Sequence, residues 1–326
     1  MRIAVTGSIA TDHLMSYPGR FADQILDDRL DRVSLSFLAD RLEIRNGGVA
    51  ANIALGLARL GTETVLVGAA GKDFTEYGAW LRDNGVDTAH VHISRNHHTA
   101  RFVCTTDRDH NQVATFYAGA MVEASRATLT SVQERSGALD LAVVAPNDPG
   151  AMQSLTRECR RLGIPFAADP SQQLARLTGP ETRRLVRGAR FLFTNEYEAR
   201  LLQERTGWSR AEVLCHAETW LVTRGAAGVD IGRAGHPWLH VDAVPVAVPV
   251  EPTGVGDAFR AGFLAGIDRG LAYEQAARLG CALASVVIQV IGTQEYKLSG
   301  ARLLLEIEAT YGFSAACELE PHLTPL

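Results

Sequence analysis

The feature that most constrains the fold is a regular alternation of short apolar runs with amphipathic stretches. Between the apolar runs, residues 49–60 place Val49, Ile53 and Leu57 on one side of a helix that ends at Gly61, and residues 151–162 repeat the pattern. Strands that alternate with helices indicate βαβ units. We therefore predict an α/β fold with a mostly parallel central sheet and helices on both faces, as one domain over residues 1–326. The runs predicted as strands are 3–5, 64–67, 139–145, 165–168, 191–194 and 220–223.

Two segments interrupt this alternation. Residues 13–46 separate the first strand from the first helix and contain short polar–apolar alternations. Residues 90–119 contain a hairpin pattern, in which strands at 99–106 and 112–117 flank a polar turn. We predict that the segments 13–46 and 90–119 form a small β-sheet lid over the carboxyl edge of the main sheet.

Composition and charge exclude several classes of protein. The formal net charge is −5 and there is no basic stripe, so we expect no nucleic-acid partner. Hydrophobic residues make up 46% of the chain, which argues against disorder, and no apolar run is long enough to span a membrane. The five cysteines are scattered and form no CxxC pair, so neither a disulfide framework nor a zinc site is indicated. We expect a soluble cytoplasmic protein with small-molecule partners.

Four histidines lie close together, at positions His90, His92, His97 and His98. No carboxylate or cysteine stands at a ligand spacing from them. We therefore interpret this cluster as a solvated strand–loop–strand edge and not as a metal site.

The segment that most strongly indicates chemistry is 251–263, with the sequence EPTGVGDAFRAGF. Gly254 and Gly256 allow a tight turn, and an apolar helical pattern begins directly after them. N–H groups at such a helix start are unpaired and carry the positive end of the helix dipole, so they form an anion hole. A carboxylate there, Asp257, either caps the helix or takes part in a reaction. The GxxxxGK[ST] phosphate loop and the GxGxxG fingerprint are both missing, which disfavours the common nucleotide sites.

Four segments resemble the motifs of one kinase family. Residues 253–263 resemble the second signature of the PfkB (ribokinase-like) carbohydrate and nucleoside kinases, and residues 46–54 (NGGVAANIA) resemble the first. Residues 195–198 (NEYE) are similar to the NxxE motif of the family, and residues 223–228 (TRGAAG) to its TxGxxG turn. The resemblance implies a ribokinase-like fold and transfer of a phosphoryl group from ATP to a hydroxyl group.

The resemblance also implies roles for individual residues. Asp257 is the general base that takes the proton of the acceptor hydroxyl, and the backbone amides of residues 254–257 bind the transferring phosphoryl group. Because aspartate is ordinarily ionised at neutral pH, this role requires no large shift of its pKa. Glu198 would otherwise be a first-turn helix carboxylate favoured by the dipole. Glu251 stands where the family commonly has aspartate, which leaves a requirement for K⁺ open. The resemblance places Asn195 and Glu198 at Mg²⁺ through water, and it places Asn195, Thr223, Gly225 and Gly228 at the nucleotide.

Other residues indicate the acceptor. Gly48 allows close approach of a ligand, Asn52 offers an amide one helical turn later, and Asp12, at the end of the first strand, accepts hydrogen bonds from vicinal hydroxyls. Phe102 and Phe116, on the paired hairpin strands, either stack on a purine or pack inside the lid. The segments 7–12, 34–38 and 169–174 are similar to adenosine kinases of the actinobacterial type. That resemblance implies a homodimer associated through the lid, and it adds to the site Ser8, Ser36, Gln172 and Gln173.

The resulting hypothesis is ATP-dependent phosphorylation of the 5′-hydroxyl of adenosine, an activity of purine salvage. One alternative is a ribokinase- or fructokinase-like sugar kinase, whose site does not require the aromatic pair. Another is a non-catalytic nucleoside-binding protein, against which the intact Gly254, Gly256 and Asp257 argue. An NAD-dependent oxidoreductase is disfavoured by the missing fingerprint.

Overall fold

The computed structural model describes residues 1–24, 36–109 and 111–324. In this part of the chain a ten-stranded main sheet and a separate four-stranded sheet carry the fold. The strands are β1 (Arg2–Thr6), β2 (Ala10–Ser16), β3 (Arg41–Gly47), β4 (Glu63–Ala70), β5 (Val86–Asp87), β6 (Val91–Ile93), β7 (Ala100–Thr106), β8 (Gln112–Tyr117), β9 (Leu141–Val144), β10 (Phe166–Ala168), β11 (Ala189–Asn195), β12 (Ala217–Thr223), β13 (Val229–Arg233) and β14 (Leu239–Val241).

The helices occupy the intervals between these strands and the end of the chain. Gly61 adopts the left-handed conformation, with φ 81°, directly after the first helix, as the sequence predicts. None of the helices in the described residues is both long and apolar enough to cross a membrane. The helices are α1 (Val49–Arg59), α2 (Thr75–Asp83), α3 (Leu129–Ser136), α4 (Pro149–Leu162), α5 (Gly179–Val186), α6 (Glu196–Thr206), α7 (Arg210–His216), α8 (Val255–Asp268), α9 (Tyr273–Val287), α10 (Gly300–Tyr311) and α11 (Phe313–Leu323).

The main sheet has the order β14-β13-β12-β11-β10-β9-β1-β4-β5, with β6 also paired to β4. The neighbours from β12 to β5 are parallel, whereas β13 and β14 add an antiparallel edge. Side chains of successive strand residues point to opposite faces, so Ile3 and Val5 join the apolar cluster that includes α1, α8 and α9, and Ala4 joins the cluster that includes α4, α5 and α6. The predicted α/β class, with helices on both faces of a mostly parallel sheet, is confirmed.

The second sheet, which we call the lid sheet, has the order β3-β2-β7-β8. Its β7–β8 hairpin lies within one residue of the predicted bounds. Two predictions about the lid are wrong. Asp12 does not end the first strand, because β1 stops at Thr6 and β2 begins at Ala10, whose side chain packs inside the lid. Residues 91–93 do not belong to the lid either, because β6 pairs with β4 and Val91 packs in the main core.

Candidate active site

A cleft of about 720 Å³ opens between the lid sheet and the carboxyl ends of the main-sheet strands. Strands β1 and β9 are adjacent, but the sheet continues from β1 to β4 on one side and from β9 to β10 on the other. The cleft therefore lies at a topological switch point, the usual ligand site of open α/β sheets. The structure brings most of the predicted site residues to this cleft: Ser8, Asp12, Gly48, Asn52, Phe102, Phe116, Gln172, Gln173, Gly254 and Asp257.

The turn before α8 has the geometry of a phosphate-binding turn. Gly254 has a φ of 78°, and a Cβ there would lie 2.8 Å from the side chain of Thr293, so only glycine fits without strain. The helix begins one residue later. Within the described residues, the N–H groups of Gly256 and Asp257 donate to no acceptor. These amides, with the helix dipole behind them, are available to an anion in the cleft.

Asp257 lies in the first turn of α8 but does not cap it. The N-cap residue is Gly254, and no side-chain hydrogen bond caps the helix. Its Oδ2 instead accepts a hydrogen bond from Asn52 Nδ2 over 2.8 Å. The capping interpretation of Asp257 is therefore wrong. The carboxylate lines the cleft next to the free amides.

A buried charge cluster surrounds this carboxyl group. Arg260 Nη2 donates to Asp169 Oδ1 over 2.7 Å, and Arg260 Nη1 donates to the carbonyl of Gly256 over 2.9 Å. Burial raises the pKa of Asp257 to about 7; Arg260 opposes the rise, and Asp169 and Glu198 add to it. The sequence does not show this raised pKa, because the burial of Asp257 and the nearby carboxyl groups arise only in the folded chain.

Asn195 and Glu198 form a reciprocal capping box at the start of α6. Asn195 Oδ1 accepts from the Glu198 N–H, and Glu198 Oε2 accepts from the Asn195 N–H, each over 2.8 Å. Glu198 Oε1 accepts from the Ser171 hydroxyl over 3.2 Å. Burial, and then the charge of Asp169, raises the pKa of Glu198. Glu198 is thus the first-turn helix carboxylate of the simpler interpretation, and contact with a metal ion would run through water.

The predicted nucleotide residues lie beside this capping box, outside the 720 Å³ cleft. Thr223 is the last residue of β12 and stands directly opposite Asn195, the last residue of β11. Gly225 opens a single 3-10 turn that Gly228 closes with a φ of 87°. The structure therefore brings Asn195, Thr223, Gly225 and Gly228 together at the same carboxyl edge of the sheet as the cleft.

The lid sheet and the start of α1 contribute polar residues to the cleft. Asp12 stands opposite Arg45 on the neighbouring lid strand. Burial raises the pKa of Asp12 to about 6; the charge of Glu251 adds to the rise and Arg45 opposes it. A Cβ at Gly48, which has a φ of 98°, would lie 2.6 Å from the Ser8 carbonyl oxygen. Gly48 therefore permits close packing against the backbone at Ser8, and not the close approach of a ligand that the sequence predicts.

The aromatic pair stands in the same row of the lid sheet as Asp12, because Phe102 is directly opposite Asp12 on the neighbouring strand. Phe102 and Phe116 stand directly opposite each other in the β7–β8 register, and both line the cleft. Gln173 is 6% exposed, and its Oε1 has no hydrogen-bond partner among the described residues. Gln172 Oε1 accepts from the Ser171 hydroxyl over 2.7 Å. Ser36 is exposed and does not line the cleft, and positions 34 and 35 of the same predicted segment lie outside the described residues.

Comparison with known proteins assigns the family. A model of the pfkB family of carbohydrate kinases matches residues 6–299. The chain belongs to the PfkB family. It is 30% identical over 275 residues to a nucleoside kinase of Methanothermobacter thermautotrophicus, with 82% of this chain and 86% of the relative covered. It is 27% identical over 276 residues to the ribokinase of Bacillus subtilis, with 83% and 90% covered.

A solved structure of Burkholderia thailandensis nucleoside kinase in complex with inosine has the same fold. It aligns with a TM-score of 0.83 at 31% identity, covering 95% of this chain and 98% of that one. The chain is therefore an ATP-dependent PfkB kinase of the carbohydrate and nucleoside type. These relatives are a ribokinase and nucleoside kinases, so they confirm the family and not the resemblance to adenosine kinases in particular.

Several residues of this PfkB site are not predicted from the sequence. Arg45, Arg176 and Thr293 line the cleft but belong to none of the quoted motifs. Arg260 is only 6% exposed and pairs with Asp169, 91 residues away in the chain. The one available signal is an arginine inside the apolar pattern of α8, where a charged side chain needs a buried partner.

The histidine cluster differs in part from its interpretation. His90 is 7% exposed and bonds Ser136 Oγ over 2.7 Å, so it is not solvated. His92 Nε2 lies 2.7 Å from Glu123 Oε2, a carboxylate that the sequence spacing does not reveal. Burial of the surrounding residues, which a local pattern cannot report, explains both differences.

Proposed function

We propose that this chain is an adenosine kinase, which transfers the γ-phosphoryl group of ATP to the 5′-hydroxyl of adenosine and forms AMP and ADP. The observation that carries the proposal is the set of groups that one cleft brings together. An aromatic pair and two glutamine amides suit a purine base, and Asp12, directly opposite Phe102 in the lid sheet, suits vicinal hydroxyls. Asp257, beside its free amides, suits a primary hydroxyl. A nucleoside carries these three parts: a base, a ribose diol and a primary hydroxyl.

In the proposed reaction, Asp257 accepts the proton of the 5′-hydroxyl as its oxygen attacks the γ-phosphorus of ATP. The new P–O bond forms while the bond from the γ-phosphorus to the bridging oxygen breaks, and ADP leaves. The amides at Gly256 and Asp257 stabilise the charge that develops on the transferring oxygens. Phosphoryl transfer depends mainly on such positioning and on charge stabilisation, and the α8 turn provides both.

The donor set of this edge of the sheet fits Mg²⁺. Glu198 and Asp169 are buried carboxyl groups. Burial raises the pKa of both, the charge of Asp169 adds to the rise at Glu198, and Arg260 opposes it at each. Within the described residues no cluster of three or more ligand side chains forms a ready metal cage, but Mg²⁺ keeps several waters and needs few protein ligands. Asn195 and Glu198 would hold the ion through water. When bound, it neutralises charge on the phosphate oxygens.

The proposal includes a monovalent cation beside the turn, where Glu251 stands. Glu251 Oε2 accepts from the Gly292 N–H over 2.8 Å, so this carboxylate connects the two loops beside the turn. Whether K⁺ stimulates turnover is tested by exchange of KCl for choline chloride.

We also propose that the protein is a homodimer associated through the lid. On the face of the lid sheet that points away from the cleft, apolar side chains are exposed, and we call it the outer lid face. Exposed apolar patches of this kind mark association sites, and a second copy is the partner that the resemblance implies. The outer lid face consists of Leu42, Ile44, Val113 and Tyr117, which are 57%, 62%, 52% and 44% exposed.

The second candidate is a sugar kinase, because the ribokinase of Bacillus subtilis is among the relatives. The experiment that separates the candidates measures ADP formation from MgATP with adenosine, inosine, guanosine, ribose and fructose. We expect the highest kcat/KM with adenosine. Turnover with ribose or fructose alone would replace the proposal by the second candidate, and preference for inosine would change the base while keeping the nucleoside. ADP formation with none of the five would contradict both.

A further inference from the structure

The orientation of the Asn52 amide is fixed by its neighbours. Its Oδ1 accepts from Thr293 Oγ1 over 3.0 Å and from Gln294 Nε2 over 2.8 Å, and its Nδ2 donates to Asp257 Oδ2 over 2.8 Å. Asn52, Thr293 and Gln294 are 8%, 5% and 1% exposed, so water offers them little alternative. The orientation of the Asn52 amide, whose nitrogen contacts the proposed base, therefore depends on the donors Thr293 and Gln294 at its oxygen.

Asn52 belongs to a series of hydrogen bonds that starts at one backbone carbonyl, and that carbonyl determines which group donates in each bond. The Gly47 carbonyl can only accept, so Tyr77 Oη, 2.8 Å away, must donate its single proton to it. Burial raises the pKa of Tyr77, which keeps that proton in place. Tyr77 Oη must then accept from Gln294, whose Nε2 lies 2.7 Å away. The Gln294 amide group is thereby turned with its nitrogen toward Asn52.

The same direction continues to Asp257. Because Gln294 presents a donor to Asn52, the Asn52 oxygen must face Gln294 and the Asn52 nitrogen must face the carboxylate. Gln294 Oε1 has no hydrogen-bond partner among the described residues, so no donor there competes with Tyr77 and Asn52 in setting the orientation of the Gln294 amide. Four hydrogen bonds thus transmit the polarity of one carbonyl to the carboxylate at the reaction site.

We propose that Tyr77, Thr293 and Gln294 are positioning residues, which hold the Asn52 amide nitrogen toward Asp257 and so orient the base for the acceptor hydroxyl. With Oδ2 engaged by Asn52, Oδ1 accepts no hydrogen bond from the described residues and is left for the substrate. The same series of hydrogen bonds connects Gly47, next to the cleft residue Gly48, to the Asp257 carboxylate. This inference rests on the proposed role of Asp257 but not on adenosine as the acceptor.

The test is a double-mutant cycle with Gln294→Met and Asn52→Ala, with kcat measured at saturating MgATP and saturating acceptor. The acceptor is the compound with the highest kcat/KM among adenosine, inosine, guanosine, ribose and fructose. We expect Gln294→Met to lower kcat by roughly 10- to 100-fold, with the KM for ATP changed less than about threefold. In the Asn52→Ala background, Gln294→Met should change kcat by less than about twofold, because its effect passes through Asn52.

The controls make the same chemical changes outside the chain of hydrogen bonds. Gln153→Met removes an amide on α4 that donates to the Glu181 carbonyl on α5, and Tyr296→Phe removes a buried phenolic hydroxyl while keeping the ring. Both should leave kcat within about twofold of the wild type. If Gln294→Met does not fold, Tyr77→Phe decides, with an expected loss of roughly three- to tenfold that is absent in the Asn52→Ala background.

Wild-type kcat in Gln294→Met and Tyr77→Phe, or equal losses in both backgrounds, would overturn the inference. Failure of the proposed function looks different. Loss of adenosine as a substrate leaves the cycle measurable with another acceptor. Loss of the base assignment would show as turnover that survives Asp257→Asn, a variant that is not part of the cycle.

Discussion

Arg260 and Asp169 form a buried ion pair that ties the first turns of α8 to the loop after β10. The Arg260 Nη2 to Asp169 Oδ1 distance is 2.7 Å, and the two residues are 6% and 0% exposed. Arg260 also donates to the Gly256 carbonyl, and the loop after Asp169 carries Gln172 and Gln173. One buried pair therefore fixes the phosphate-binding turn relative to the residues proposed to contact the base.

Asp169→Asn should lower the free energy of unfolding by about 3–5 kcal/mol, because it removes the one carboxylate that pairs directly with the buried guanidinium. Chemical denaturation followed by circular dichroism measures this change. The matched control is Glu274→Gln, which removes the partner of Arg278 in a more exposed pair on α9 and should cost less than about 1 kcal/mol. Equal losses in the two variants would show that the buried pair adds no stability.

Asp257→Asn should lower kcat by at least about 10²-fold, because asparagine cannot accept the proton of the acceptor hydroxyl. The affinity for the nucleoside, measured by calorimetry without ATP, should change little, since the asparagine oxygen still accepts from Asn52. Turnover near that of the wild type would remove Asp257 as the base. A matching loss of nucleoside affinity would assign it to binding instead.

The pH dependence of kcat/KM should show an acid limb near pH 7, where the Asp257 carboxyl of the free enzyme ionises. Below that pH the rate should fall about tenfold per unit, because only the ionised form accepts a proton. The same raised pKa means that the native state holds this proton to a higher pH than the unfolded chain does. Its contribution to stability is therefore greatest in acid and is lost as the pH rises from about 4 to about 7. A flat profile between pH 5 and 8 would contradict the burial of this group.

The predictions that held are those that depend on local patterns. The run at 191–194 lies within β11, and the helix predicted over 49–60 is α1, because side-chain periodicity decides which face of an element is buried. The turn at Gly254 could also be predicted, because the two glycines and the start of α8 lie within a few residues of each other. Motif order added the family, which the comparisons confirm.

The features that the sequence does not predict depend on contacts between distant parts of the chain. Burial raises the pKa of Asp257, and Asp169 and Glu198, which are far from it in sequence, add to the rise. Thr293 and Gln294 belong to no motif, yet they contact Asn52 across more than 240 residues. Asp12 was assigned to the wrong strand because two short elements, β1 and β2, follow each other after a turn of three residues.

Phe102→Ala should weaken adenosine binding by about 1–3 kcal/mol and leave ribose binding nearly unchanged, because only the purine base stacks on the ring. Calorimetry with the two ligands measures the difference. Phe102→Leu is the matched control: it keeps an apolar side chain at this position and should lose less of the adenosine affinity. Equal losses for adenosine and ribose would mean that Phe102 only packs within the lid sheet.

Ile44→Glu should convert the proposed homodimer to monomers. Ile44 is 62% exposed on the outer lid face, and a carboxylate there would have to be desolvated twice in a symmetric interface. Sedimentation velocity at micromolar concentration measures the change, with a dimer expected for the wild type. Leu305→Glu is the matched control, because Leu305 is 67% exposed on α10, outside the lid sheet, and should leave the dimer intact. A wild-type monomer, or a dimer that survives Ile44→Glu, would mean that the outer lid face is not the interface.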